Sequence, residues 1–292
     1  MDASPGAVDV ERLRSHLQKL EGERHPWMSP ERLQAAQRYV TEQWRSWGLT
    51  VSWDEFSYMG QRFVNLIARP PDFPTGPRLI LGAHLDTVPG TPGADDNASG
   101  VAALLEVARV TAQRSWRLPV EFVAFNLEEL GMIGSSHHVA VLRRAKTPVL
   151  GMLSLEMIGF TESEGLQRYP WFLQGRYPDT GTYLGLAANR RSRALLETVA
   201  DAMRTVPELP VETMVLPGNG WVFPESRLSD HSPFWDRGYP ALLVTDTSFF
   251  RNPHYHQPSD TVRTLDLVFL EHVTRGLVAT VEALAARVPS RT

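Results

Sequence analysis

The chain has 292 residues, of which 42% are apolar and 21% charged, and its net charge is −4. This composition excludes a disordered, collagen-like or membrane-embedded protein, and a chain of this length buries about three quarters of its unfolded surface without disulfide support. Cysteine is absent, which excludes thiol nucleophiles, thiolate zinc sites and iron–sulfur clusters together, so any metal must sit on His, Asp and Glu.

At the N-terminus no basic segment precedes an apolar run, and nowhere do about 18 apolar residues follow one another. The sequence therefore predicts neither a signal peptide nor a spanning helix, and a cytoplasmic location is the default expectation. Charges of both signs are interspersed, so no basic face marks nucleic acid or an anionic membrane as a partner. Residues 10–20 carry apolar side chains at helical spacing, and Ser29-Pro30 caps and opens a second helix that runs to Trp47 and stops at Gly48. Segments 50–58 and 62–68 alternate apolar and polar residues, as edge strands with one wet face do. A short apolar run at 78–81 leads into His84 and Asp86, and 120–125 reads as a strand buried on both faces. Between them, 99–111 reads as a helix capped by Asn97 or Ser99. Further strands are predicted at 149–155, 182–186, 212–216 and 240–245, and further helices at 191–203 and 266–287. The stretches 160–181 and 217–230, rich in Gly, Pro and aromatic residues, read as rim loops. Such alternation of strands and amphipathic helices builds an α/β layer fold.

The chemistry lies where polar residues interrupt these runs. His84 and Asp86 stand two apart at a strand end and project from one face, so the carboxylate can orient the ring, although a plain structural use also accounts for such a pair. Asp95, Asp96 and Asn97 precede a helix, and a turn with an N-cap explains one or two of them. That leaves two adjacent negative charges with no Lys or Arg between 78 and 109, a deficit that a cation would offset. Glu128 and Glu129 end a buried strand, where paired carboxylates are costly unless a metal or a proton joins them. One can bind a metal while the other serves a water as its base. Glu156 interrupts another strand, and His254, Tyr255 and His256 follow the strand at 240–245 in what can also be an ordinary turn. Together these residues sit at strand ends, where α/β sheets place their ligand sites. Oxygen and nitrogen ligation without thiolate suits zinc, manganese or cobalt, and one bridging carboxylate makes a two-metal site with ions about 3.5–4 Å apart.

In this order, the strings AHLDT, PGADDNASG, NLEELGMIGS, LEMIG, SDHSPF and YHQPSDT resemble the zinc aminopeptidases of metallopeptidase family M28, over residues 79–262. The resemblance implies a three-layer α/β/α sandwich around a mixed, mainly parallel sheet. It also implies a single metallopeptidase domain over 1–292, with the helices of 1–50 packed on it. Residue by residue, it implies that His84 is a ligand of one zinc, that the Asp86 carboxylate holds that histidine, and that Asp96 is the bridging ligand, followed by a cis peptide bond to Asn97. Glu128 matches the general base and Glu129 the second ligand of one zinc, while Glu156 and His256 match the terminal carboxylate and the histidine of the other. Tyr255 matches a hydroxyl that steadies the tetrahedral intermediate. Glu156 stands where the family more often has Asp, so its extra methylene requires a backbone shift or a changed ligation mode. His231 is assigned to a substrate contact or to support of a ligand, and His254 to an alternative ligand.

The expected activity is hydrolysis of N-terminal peptide bonds by a water held between two zinc ions, with Co or Mn as substitutes and a peptide with a free N-terminus as substrate. Specificity falls to the rim loops, where Tyr169, Trp171, Phe172, Trp221 and Phe223 line an apolar pocket. Two alternatives stand beside this reading. One is an acyl transferase resembling glutaminyl cyclase, which uses the same fold with a single zinc; the other is a binding module that keeps the fold without catalysis.

Overall fold

Alternating side chains on each central strand sort two cores, one on either face of the sheet. The structure, a computed structural model, describes residues 7–112, 114, 117–164 and 167–288. Its strands are β1 (Thr50–Tyr58), β2 (Gln61–Arg69), β3 (Arg78–His84), β4 (Val120–Phe125), β5 (Val149–Glu156), β6 (Leu184–Asn189), β7 (Val211–Leu216) and β8 (Ala241–Thr245). They form one sheet in the order β1-β2-β4-β3-β5-β8-β6-β7. The central pairs β3–β4, β3–β5 and β5–β8 are parallel, as is β6–β7, while β1–β2, β2–β4 and β6–β8 are antiparallel. The sheet is mixed and mainly parallel. The pattern at 62–68 does not mark an edge strand, because β2 lies between β1 and β4, whereas β1 is an edge strand and is largely exposed.

The helices are α1 (Val10–Leu20), α2 (Pro30–Ser46), α3 (Gly100–Ala112), α4 (Ile133–Arg144), α5 (Arg193–Met203), α6 (His231–Asp236) and α7 (Leu267–Ala286). Leu79, Leu81, Phe122, Leu153, Leu155 and Val244 point to the larger core, which they share with α1, α2, α3, α5 and α7. Ile80, Val123, Phe125, Met152 and Ala241 point the other way, against α4 and α6. Helices therefore cover both faces, giving three layers. Among the described residues, no helix is long and apolar enough to cross a membrane.

Local chemistry explains most boundaries. Asp9 caps α1 by accepting from the Glu11 amide, and Asp266 caps α7 by accepting from the amides of Val268 and Phe269. Pro30 opens α2 as expected, but Ser29 does not cap it; its hydroxyl donates instead to Glu23 at 2.8 Å. Helix α4 has no counterpart in the sequence pattern. It starts after Met132 in a left-handed conformation (φ 57) without a side-chain cap, and its His137-His138 pair interrupts the apolar stripe.

Those two histidines serve a buried charge network. The Nδ1 of His138 faces Asp54 at 3.0 Å and its Nε2 faces Glu121 at 3.4 Å, while Arg69 and Arg78 reach Glu121 at 2.6 and 2.8 Å. Burial alone would raise the Glu121 carboxyl, but His138, Arg69 and Arg78 outweigh it and hold it at about 2, against an ordinary 4.5. Because that value is depressed, the stabilisation is present above pH 4.5 and is lost as pH falls toward 2. Glu121→Gln is expected to destabilise the fold by about 3 kcal/mol at neutral pH, read from the urea midpoint. The difference from wild type should shrink through the acid window; a difference that stays constant there would contradict the ion-pair account.

Candidate metal centre

The centre is assembled at the C-terminal ends of β3, β4 and β5. His84 is the last residue of β3 and Glu156 the last of β5, and the register that pairs Gly82 with Ser154 sets the two ends side by side. The Nε2 of His84 lies 3.2 Å from Asp96 Oδ1 and 3.4 Å from Glu156 Oε2. The other oxygen of Asp96, Oδ2, lies 3.1 Å from His256 Nε2, which in turn is 3.2 Å from Glu129 Oε2. Two ligand groups result, His84–Asp96–Glu156 and Asp96–Glu129–His256, and Asp96 belongs to both. The grouping departs from the resemblance in one respect: Glu156 and His256 do not share a group, since Glu156 joins His84 and Glu129 joins His256.

Each side chain has a local reason for its place. The Nδ1 of His84 sits 3.1 Å from the carbonyl of Asp86 and donates to it, which leaves Nε2 bare for a ligand role. Contrary to the expectation from the sequence, the Asp86 carboxylate does not hold the ring; its nearer oxygen is 3.9 Å from Nδ1. It accepts instead from the amides of Glu128 (3.0 Å) and Glu129 (3.1 Å), and so pins the turn that carries both glutamates. The peptide bond from Asp96 to Asn97 is cis. Asn97 anchors that turn, donating to the Leu155 carbonyl at 2.8 Å and accepting from the Gly100 amide at 3.2 Å, so it rather than Ser99 serves α3. Gly100 is obligatory here, because a Cβ would lie 2.4 Å from Asn97 Oδ1 and 2.7 Å from the Leu155 carbonyl. Leu127, Met157 and His256 adopt left-handed φ values of 57, 45 and 57 beside or at the ligands. Such conformations cost about 1–3 kcal/mol each and persist where surrounding packing enforces them.

The charge deficit at 95–96 is resolved in three ways. Asp95 turns away from the centre: it accepts from Asn252 at 2.7 Å and from the Gly159 amide at 3.0 Å, and burial with the adjacent Asp246 carboxylate pushes it well above the usual range. Arg24, which the sequence places far away, is buried beneath the site, where it donates to the carbonyls of Leu20, Gly22, Leu85, Pro92 and Gly93. Burial lowers it to about 10 against the pull of Asp260, Asp96, Asp86 and Glu129. The third part is the centre itself. Burial raises Glu129 to about 7, with Asp96 adding to the effect, and raises Glu128 well above its ordinary value, with Glu156, Asp230 and Glu129 adding. Burial would lower His84 and His256, but the facing carboxylates overrule it, lifting His84 far and His256 to about 10. Protons crowd where acids and imidazoles converge.

The donor set fits divalent ions. The Nε2 atoms of His84 and His256 and the Oε1 of Glu129 are buried and lack a well-angled hydrogen-bond partner, while the facing oxygens lie within ligand reach. Three protein donors per ion, all nitrogen or carboxylate oxygen, match zinc in a site with open positions. The longer Glu156 is accommodated by Ser229, whose hydroxyl donates to Oε2 at 2.8 Å and contacts Ser154 at 2.8 Å. Glu128 belongs to neither group, and its Oε2 is 3.9 Å from His84 Nε2. Tyr255 stacks on His256 with ring centroids 3.7 Å apart, and both line a cavity that also takes in Asp96, Glu128, Glu129 and Glu156.

Other predicted site residues fall elsewhere. His231 is fully buried, donates from Nε2 to the Ser226 carbonyl at 2.8 Å and packs on Trp235, so it offers no substrate contact. Its sequence neighbour Asp230 lies nearer the centre. It is buried, both its oxygens lack a well-angled partner, and burial raises it to about 7. The string SDHSPF carries this acid directly before the imidazole, so the signal for Asp230 is present in the sequence. His254 joins neither ligand group and faces Ser259 at 2.9 Å. Of the five aromatics assigned to the pocket, Tyr169 and Phe223 line it; Trp171, Phe172 and Trp221 are exposed and do not, and Trp221 stacks on Arg227.

Comparison with known proteins identifies the family. The family profile described as "Peptidase family M28" matches residues 65–281. This chain belongs to peptidase family M28. The M28 chain is 33% identical to the uncharacterized protein YfbL of Escherichia coli (strain K12), over 95% of this chain and 89% of that protein. It is 28% identical to aminopeptidase YwaD of Bacillus subtilis (strain 168), over 70% of this chain but only 41% of that longer protein. Among solved structures, the LapA aminopeptidase of Legionella pneumophila shares its fold at a TM-score of 0.77 and 20% identity, covering 97% of this chain and 73% of that one. A glutaminyl cyclase of Porphyromonas gingivalis shares it at a TM-score of 0.71 and 20% identity, covering 98% and 99%. This M28 member therefore has the fold of zinc peptidases, and its residues 84–256 hold the ligand groups within the matched span.

Proposed function

We propose that this protein is a zinc-dependent aminopeptidase whose catalytic unit includes both N-terminal helices and whose centre takes two ions. The observation that carries this reading is the shared Asp96, with one carboxylate oxygen turned to each ligand group. When bound, a pair of divalent ions supplies an activated water and Lewis-acid polarisation of the scissile carbonyl. Glu128 stands free of both groups, accepts the proton from the attacking water and returns it to the leaving amine. Tyr255 donates its phenolic proton toward the developing oxyanion; burial first, then the surrounding carboxylates, raise its pKa, so the hydroxyl stays protonated and able to donate. Asp86 orients both glutamates through their amides, and Ser229 fixes Glu156.

Support for N-terminal cleavage comes from the relationship to aminopeptidase YwaD, added to the family membership. A cyclase reading draws on a shared fold, but the complete second ligand group favours hydrolysis. A chelator is expected to abolish cleavage of aminoacyl anilides, and zinc to restore it, with cobalt or manganese as partial substitutes. Activity that survives exhaustive chelation would overturn the metal reading. A Gln-initiated peptide released as a cyclised product, without peptide-bond cleavage, would favour the cyclase.

A further inference from the structure

The cavity beside the centre follows one lateral row of the sheet. Glu156 pairs with Thr245, Thr245 with Gly185, and Gly185 with Glu212. Residues paired across neighbouring strands project to the same face, so Glu156 and Glu212 stand on one face, three strand spacings or about 14 Å apart. Gly185 between them leaves the floor clear. The next row on that face, Leu243, Ala187 and Met214, is apolar. Tyr169, Tyr177 and Phe250 stand over this floor, and all these residues line one cavity of about 350 Å³ that also takes in Asp96, Glu128 and His256.

Glu212 ends the row as an unmatched charge. It is half-buried and, among the described residues, forms no ion pair or side-chain hydrogen bond. The phenols around it have spent their protons elsewhere. Tyr177 donates to the Thr213 carbonyl at 3.3 Å and Tyr169 to the Pro178 carbonyl at 2.7 Å, so Tyr183 must donate to the Tyr169 oxygen, 2.5 Å away. Burial raises all three phenols, and the Glu212 carboxylate is among the charges that raise them further, as a charge close to the rings should. Arg251 lies against the Tyr183 ring but is committed to Gln167 at 3.0 Å and to the carbonyls of Phe160 and Tyr183 at 3.3 and 2.9 Å. Arg176 is near enough for its charge to lower Tyr177 but, among the described residues, makes no ion pair with Glu212. A carboxylate among aromatic rings without a paired cation is a receptor for one.

We propose that Glu212 determines side-chain specificity: it receives the cationic end of an N-terminal Arg or Lys, whose methylenes lie on the Leu243–Ala187–Met214 row beneath Tyr169 and Tyr177. This inference rests on the aminopeptidase reading and names the substrate class of that site. An extended Arg or Lys side chain reaches about 6–7 Å from its Cα, and a charge-assisted hydrogen bond adds about 2.8 Å, which together cover the larger part of the interval from the centre to Glu212. Leucine covers far less and leaves the carboxylate facing apolar surface unpaired.

The test compares kcat/KM of the zinc-loaded enzyme for Arg, Lys and norleucine 4-nitroanilides, norleucine matching Lys in length without its charge. Arg and Lys are expected to exceed norleucine by at least about tenfold, and Glu212→Gln, which keeps size and removes charge, should collapse that ratio toward one. A wild-type ratio near one, or a ratio that Glu212→Gln leaves intact, overturns the proposal. Calorimetric titration with L-arginine and L-norleucine repeats the comparison without turnover. If no anilide is cleaved whatever its side chain, the aminopeptidase reading fails. The arginine preference in binding, and its loss in Glu212→Gln, then still decides the role of Glu212.

Discussion

Asp96→Ala is expected to empty both halves of the centre at once. Its two oxygens face different imidazoles, at 3.2 and 3.1 Å, and no other residue belongs to both ligand groups. Elemental analysis should show zinc falling from about two ions per chain to less than one, because each group is left with only two protein donors. His84→Ala and His256→Ala each remove a donor from one group alone and are expected to lose about one ion each. Losing the Lewis acid and the activated water forfeits several kcal/mol of transition-state stabilisation, so Asp96→Ala should lower turnover by about 10³-fold or more. Retention of two ions by this variant would show that Asp96 does not bridge. A loss no larger than that of the histidine variants would show the same.

Glu128→Gln is expected to separate catalysis from metal binding. The amide has the size of the carboxylate but cannot take up a proton, and Glu128 stands outside both ligand groups. Turnover should fall by at least about 10²-fold while the zinc content stays at its wild-type value. The backbone anchor of the turn is untouched, since Asp86 grips amides rather than the Glu128 side chain. Near-normal activity in Glu128→Gln would remove Glu128 from the base role. Loss of zinc in the same variant would instead make it a ligand.

The pattern of residues along the chain reveals much of this, because its signals are local. Helical spacing predicts α1, and the alternation at 50–58 gives β1 its bounds. Helix α4 escapes because a left-handed entry at Met132 and a buried histidine pair replace the usual cap and stripe. The histidine pair makes sense only beside Asp54 and Glu121, which come from β1 and β4. His231 misleads for a related reason: its chemistry suggests a site, yet a backbone carbonyl 2.8 Å away already occupies its Nε2.

The α/β layering and the donor types are written in local pattern, since strand periodicity and the chemistry of carboxylate and imidazole are properties of residues and their near neighbours. How the donors divide between the two groups follows only from the folded arrangement. Strand order and register set Glu156 beside His84, and a loop from the far end of the chain carries His256 to Glu129. The fold also turned Asp95 toward Asn252, brought Arg24 beneath the acids, and left Glu212 without an ion-pair partner among the described residues at the end of the Glu156 row. Electrostatic partners are chosen by distance through space, and strand crossovers make that distance independent of separation along the chain.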